Sequence, residues 1–301
     1  MKTMRKYLSI TITVLLLTLT IVSCNIFQTD DKKTDFELSF ADFEKVGVIH
    51  NEGLDLIKNY ISENRDILRD RDKLINKINE LSVLSSNIDE EINTLPLIDL
   101  NVISLSTINF VDEKFDNDKS TDLLSANSIS DPSGLIPDTL WNQFSSTARN
   151  FVIELSEIHD SYNSLSQLYF SIENFVMSVQ SSSIIEEEKI ALFTGAYTAY
   201  YSNEYWTYNN DDWEALHFDD GNSMTKSLHT ANSSSSSWRT HVRADIGGGI
   251  VGGAMGARAG AIAGATAGGV GALPGAVSGA VSGGIAGSVG ASAASIVLSW
   301  F

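Results

Sequence analysis

Basic residues are scarce in this chain. Twenty lysines and arginines stand against 38 aspartates and glutamates, a formal charge of −18. A surface so acidic opposes binding to nucleic acid and electrostatic docking on anionic lipid. Histidine is scarce too, with five residues at positions 50, 159, 217, 229 and 241. They form no HExxH pair, no GxSxG elbow occurs, and the carboxylates show no local pairing suited to acid–base work. Asp116, Asp118, Ser120 and Asp122 fall at calcium-loop spacing, but Thr121 replaces the glycine of the turn and Asn127 the bidentate glutamate. The expectation is a non-enzymatic protein without metal or cofactor.

Charge nearly vanishes at the end of the sequence. In residues 247–301 Arg258 is the only charged side chain. Gly247-x-Gly249-x-x-Gly252 has the form of a dinucleotide fingerprint, yet no apolar strand precedes it and no acid follows it to hold a ribose. The absence of lysine there excludes a phosphate-binding P-loop as well.

Cysteine occurs once, as Cys24. It follows a basic stretch, MKTMRK, and an apolar one, YLSITITVLLLTLT, together the pattern of a secretory leader over 1–23. Ile21-Val22-Ser23-Cys24 resembles a bacterial lipobox. That resemblance implies that the Cys24 thiol receives diacylglycerol and that its new amino group is acylated after cleavage, anchoring the chain in a lipid bilayer. Several acyl chains hold firmly, at about 0.8 kcal/mol per buried methylene. A modified Cys24 leaves no thiol for disulfides, thiolate catalysis or cysteine metal sites. Loss of Lys2, Arg5 and Lys6 with the leader takes the charge from −18 to −18 − 3 = −21. Asn25, rather than aspartate, follows the cysteine, which favours the outer membrane. Gln28-Thr29-Asp30-Asp31 resembles the acidic export tag of surface lipoproteins in Bacteroidetes. A polar tether is expected over 24–38.

From there the pattern is helical, and a mainly α protein is expected, an elongated acidic bundle over 39–237 followed by a hairpin over 238–301. Phe43, Val46, Ile49, Leu56, Ile57 and Tyr60 recur at three- and four-residue steps around Gly53, and Ile67, Leu68, Leu74, Ile75, Ile78 and Leu81 continue them. Residues 85–138, punctuated by Pro96, Pro132, Gly134 and Pro137, read as loops with short elements. The clearest segment is 141–180. Phe144, Ala148, Phe151, Leu155, Ile158, Tyr162, Leu165, Tyr169, Ile172, Val176 and Val179 make an unbroken heptad seam, predicting one helix about 60 Å long. Ser181-Ser182-Ser183 ends it, and Glu186-Glu187-Glu188 suits the first turn of an antiparallel partner. Within residues 196–214, Tyr205, Trp206 and Trp213 lie beside Asn and Asp. Such aromatic planes are candidate ligand contacts; the alternative is a helix end packed by aromatics, with 209–212 as its turn.

What the tail has in place of charge is glycine, 17 of the 22 in the chain. Gly252, Gly256, Gly260, Gly264 and Gly268 recur every four residues, and after a break so do Gly271, Gly275, Gly279, Gly283 and Gly287. A helix-interior glycine costs roughly 1 kcal/mol relative to alanine. A four-residue repeat therefore makes sense where a missing side chain lets another helix come close, as in small-xxx-small packing. With a turn at 271–275, two helices of membrane-spanning length result, roughly 244–270 and 275–300. Their open end would gather Trp238, Arg239, Arg243, Trp300 and Phe301 as an interfacial belt. The segment resembles the glycine-zipper hairpins of bacterial outer-membrane lipoproteins and the GxxxG helices of two-peptide bacteriocins, which implies packing within a membrane or between copies of the chain.

Large aliphatic residues are sparse in this tail, and Arg258 at a bilayer centre would cost about 2.5–3.5 kcal/mol. Two readings therefore stay open. Either the hairpin lies in a membrane, or it is buried in the acidic bundle with Arg258 meeting a carboxylate. A secreted or surface pore-forming protein whose hairpin is shielded first and inserted later would reconcile them.

Overall fold

A computed structural model describes residues 40–87, 99–118, 134–218, 237–266 and 271–301. The leader, Cys24, the tether, Gly268 and the calcium-like loop at 120–127 lie outside these. The chain is mainly α, with nine helices among the described residues and no strand. They are α1 (Phe40–Glu63), α2 (Arg71–Ser85), α3 (Leu100–Asp118), α4 (Asp138–Trp141), α5 (Ser146–Ser161), α6 (Leu165–Ser181), α7 (Glu186–Phe218), α8 (Ser237–Thr266) and α9 (Ala272–Leu298).

Each buried stripe is written in the local sequence. Phe43, Val46, His50, Gly53, Leu54, Ile57 and Ile61 line the inner face of α1. Gly53, which interrupts the apolar pattern, sits where Ser85 of α2 and Val289 of α9 close in on the α1 backbone. Residues 65–69 form a 3-10 turn, and α2 starts afresh behind Asp70, whose side chain accepts from the Lys73 N–H at 3.1 Å. Helix α3 corrects the expectation of loops over 85–138. Its inner face alternates Ile103, Ile108 and Val111 with fully buried Ser104 and Thr107. Those two hydroxyl residues hide the apolar period.

The heptad seam misleads over 141–180. Instead of one helix there are three, α4, α5 and α6, because Ser145 and Ser164 act as N-caps. Their hydroxyls accept from the N–H groups of Ala148 and Gln167, each at 3.2 Å, in extended backbone that a continuous helix could not adopt. The buried face also departs from the seam by one residue at Val152, His159 and Leu168, leaving Tyr169 exposed, while Ile172, Val176 and Val179 keep to it. Glu188 opens α7 within an acidic first turn, as expected, and its buried carboxylate reaches across to accept from the Ser145 N–H at 2.6 Å and hydroxyl at 2.9 Å. Ser145 thus ends one helix gap and ties two helices. Ser145→Ala should cost about 1–2 kcal/mol in urea unfolding; an unchanged midpoint would show that the cap carries no weight.

The 33-residue α7 is the long wall of the bundle, about 50 Å by helical rise. Helix α6 returns antiparallel along it, with the Tyr169 and Tyr200 rings 5.4 Å apart. Helix α1 runs parallel to it, from Phe43 against Phe193 down to Lys58 donating to Asn209. Ser39–Phe301 pack as one compact unit, and its centre is the pair α8–α9. All of residues 275–298 are buried except the half-buried Ser278, with α7 against α8 and α1, α2 and α3 against α9.

Candidate functional site

Helices α8 and α9 are antiparallel and meet backbone to backbone. A methyl group placed on Gly252, Gly256, Gly260 or Gly264 would overlap the carbonyl oxygen of Gly283, Gly279, Gly275 or Gly271 respectively. The relation is reciprocal: Gly275, Gly283 and Gly287 face the carbonyls of Gly260, Gly252 and Gly248. The four-residue repeats are one ladder, read from both sides. A second glycine face turns outward. Gly249 and Gly253 admit Thr198 and Thr194 of α7, so the shell helix also comes close. The turn differs slightly from expectation, since α9 begins at Ala272 and takes Pro274 into its first turn, where a missing N–H costs nothing.

At the turn end the hairpin leaves its cover. Ile262 is 68 % exposed, and Ala265, Thr266 and Pro274 are exposed beside it. Arg258 is exposed too and donates to the Gln143 side chain. Sequence reasoning had offered it a carboxylate. No acid is needed, because the guanidinium stays in water.

At the open end, Trp238 and Trp300 are half-buried and Phe301 is exposed. The two arginines are tied to α5 instead of facing outward. Arg239 donates to the His159 carbonyl at 3.0 Å and lies over the rings of Tyr162 and Trp238, and Arg243 donates to Asp160 at 2.7 Å.

Between this end and the ladder lies a polar cluster that no local motif announces. Asp245, the last acid before the uncharged run, is fully buried. Its Oδ2 accepts from Ser202 Oγ and, at 2.9 Å, from Trp206 Nε1, and stands 3.4 Å from His50 Nε2. Its Oδ1 has no hydrogen-bond partner. His50 Nδ1 lies 3.0 Å from Ser288 Oγ, and His241 Nδ1 lies 2.5 Å from Ser295 Oγ. The His241 ring packs 4.8 Å from that of Trp206. One cluster therefore joins α1, α7, α8 and α9.

Ser288, His50 and Asp245 have the connectivity of an acyl-transfer relay. The surroundings do not suit that chemistry. None of the three side chains has exposed surface, and Ser288 sits mid-helix, where neighbouring N–H groups are already bonded and make no oxyanion hole. What the cluster can do is hold or take up a proton. Burial pushes His241 down to about 4, against the pull of Asp245. His159, buried between α5 and α7 with Asn203 Nδ2 3.3 Å from its Nδ1, is likewise pushed down to about 4 by burial. Asp160 pulls it up, and Arg243 and Arg239 push it further down. Both imidazoles are neutral at pH 7.

Tyr205, Trp206 and Trp213, the candidate ligand contacts, are buried and unavailable to a solute. They belong to the same interior network. Trp213 Nε1 donates to Tyr205 Oη at 3.0 Å, and Tyr205 Oη donates to Asp55 at 3.0 Å. Burial pushes the Tyr205 phenol up. The turn expected at 209–212 is also corrected: α7 runs straight through it, with Asn209 Nδ2 donating to the Tyr205 carbonyl and Asn210 to Glu214. No family model matches the chain, and no curated protein or solved structure is significantly similar to it.

Proposed function

We propose that this chain is a non-enzymatic envelope lipoprotein, anchored through acylated Cys24, that stores a membrane-active hairpin in water-soluble form. One observation carries the reading. Residues 272–298 make a helix of 27 residues, apolar enough to cross a bilayer (mean hydropathy 1.5), whose spanning window is wholly buried in an acidic protein. Its partner from Ile246 onward carries Arg258 as its single charge. A core helix needs an apolar surface of either kind. The glycine ladder adds something more: the two arms hold each other by backbone contact, so they can leave the shell as a pair and remain paired in lipid. The same use of the glycines means that self-association through the ladder requires the hairpin to open first.

A disulfide between α7 and α8 tests the storage. A Cβ on Gly249 lies 3.2 Å from the Thr198 Cβ, close to the roughly 3.8 Å a disulfide needs. In full-length Cys24→Ser protein carrying Thr198→Cys and Gly249→Cys, urea below the unfolding midpoint should release dye from phosphatidylcholine vesicles at pH 7.5 when the pair is reduced. Oxidised protein should release none. Equal release from both forms, or none from either, would remove the proposal.

A further inference from the structure

We propose that the cluster of His50, Ser202, Trp206, His241 and Asp245 is a proton-operated latch that holds the hairpin in its shell. The inference rests on the stored-hairpin reading and concerns its control. Its basis is placement. Asp245 and His241 are the last acid and the last histidine of α8 before the ladder, and they bind outward to α7 and α1 and sideways to Ser295 of α9. Beyond Asp245 the hairpin carries no titratable side chain except Arg258, which stays charged at any relevant pH. Protons can therefore loosen the shell around the hairpin without touching the ladder that holds its two arms together.

The groups facing His241 set the direction. Its own helix supplies Asp245. Helix α7 presents the Trp206 ring, whose neighbour Tyr205 is bonded to Asp55 of α1, and His50 of α1 reaches the same Asp245. Helix α9 has no ionisable residue, and Asp112 of α3 is engaged by Arg71 of α2. Beside α5, Asp160 is paired with Arg243. His241 Nδ1 is engaged with Ser295, in a site almost without solvent. The folded value, about 4, lies below the usual 6.5. The stability from a neutral His241 is thus complete above pH 6.5 and is lost as the pH falls from there toward 4. His159 has the same sign, at the junction where Arg239 and Arg243 of α8 meet α5.

Dye release from phosphatidylcholine vesicles, scanned from pH 7.5 to 4 with the full-length Cys24→Ser chain, tests the latch. Release should rise at least tenfold across the scan. In His241→Gln with His159→Gln, which cannot take up these protons, the midpoint should fall by about one pH unit. His241→Phe, which keeps the ring against Trp206, provides a second non-titrating variant should glutamine misfold. Imidazole C–H shifts in the native chain should report His241 titrating together with release. A midpoint unmoved in either folded variant, or release that precedes His241 protonation, overturns the latch. Release by urea but not by acid refutes the latch and leaves the stored hairpin standing; release by neither refutes both.

Discussion

Gly256→Ala should destabilise the folded chain by about 2–4 kcal/mol, against the gain of about 1 kcal/mol that the same change brings in an ordinary helix. The sign reverses because the new methyl lands on the Gly279 carbonyl, and backbone cannot rotate out of the way as a side chain can. The arms must separate, and separation at one rung loosens Gly252–Gly283 above and Gly260–Gly275 below. In thermal unfolding the loss should appear as a fall of roughly 5–15 °C. Gly134→Ala is the control, since nothing lies within 4 Å of the position a methyl would take, and its midpoint should stay where it is. A Gly256→Ala protein as stable as the native chain would mean that the ladder is not held at the spacing described.

Arg258→Leu should act on the other side of the balance. In the helical fold Arg258 is exposed and holds one side-chain amide, so its loss should leave unfolding nearly unchanged. In a bilayer the same residue lies mid-arm. Removing its insertion cost of about 2.5–3.5 kcal/mol, and adding a leucine, should raise vesicle-bound protein on the order of 100- to 1000-fold once the shell is open. Flotation in urea at pH 7.5 measures this directly. Equal flotation of the two proteins would mean that residue 258 does not enter lipid, and the stored-hairpin reading would lose its main energetic consequence.

The tail was the most legible part of the chain, for a physical reason. A repeat of glycines every four residues has one structural use, close approach along one helix face, and two such repeats around a proline-containing turn nearly dictate the pairing. Neither the turn's proline nor the placement of Ala272 altered the register. The stretch 141–180 was misread because apolar spacing survives a break: Phe144 to Val179 keep a seven-residue rhythm while Ser145 and Ser164 cap new helices beneath it. Spacing reports which side is apolar and is silent about backbone continuity. Helix α3 failed in the opposite way, since Ser104 and Thr107 are buried hydroxyls that look like surface. The interior cluster was beyond reach. His50 and Asp245 are 195 positions apart and His50 and Ser288 are 238 apart, and nothing local distinguishes a histidine destined for an aspartate from one facing water. Even so, an isolated acid at 245, directly before a long uncharged run, was a visible oddity.

The packing order has a consequence for how the protein is made. The shell helices come first along the chain, and the helices they close around come last. Until α8 and α9 have been synthesised, the faces that α1, α2, α3 and α7 turn toward them are uncovered, and the contact between His50 and Ser288 must be made across 238 residues. Late, non-local closure is slow, and waiting apolar faces invite aggregation. A chain cut before residue 272 would lack α9 altogether and leave the faces that α1, α2 and α3 turn toward it uncovered.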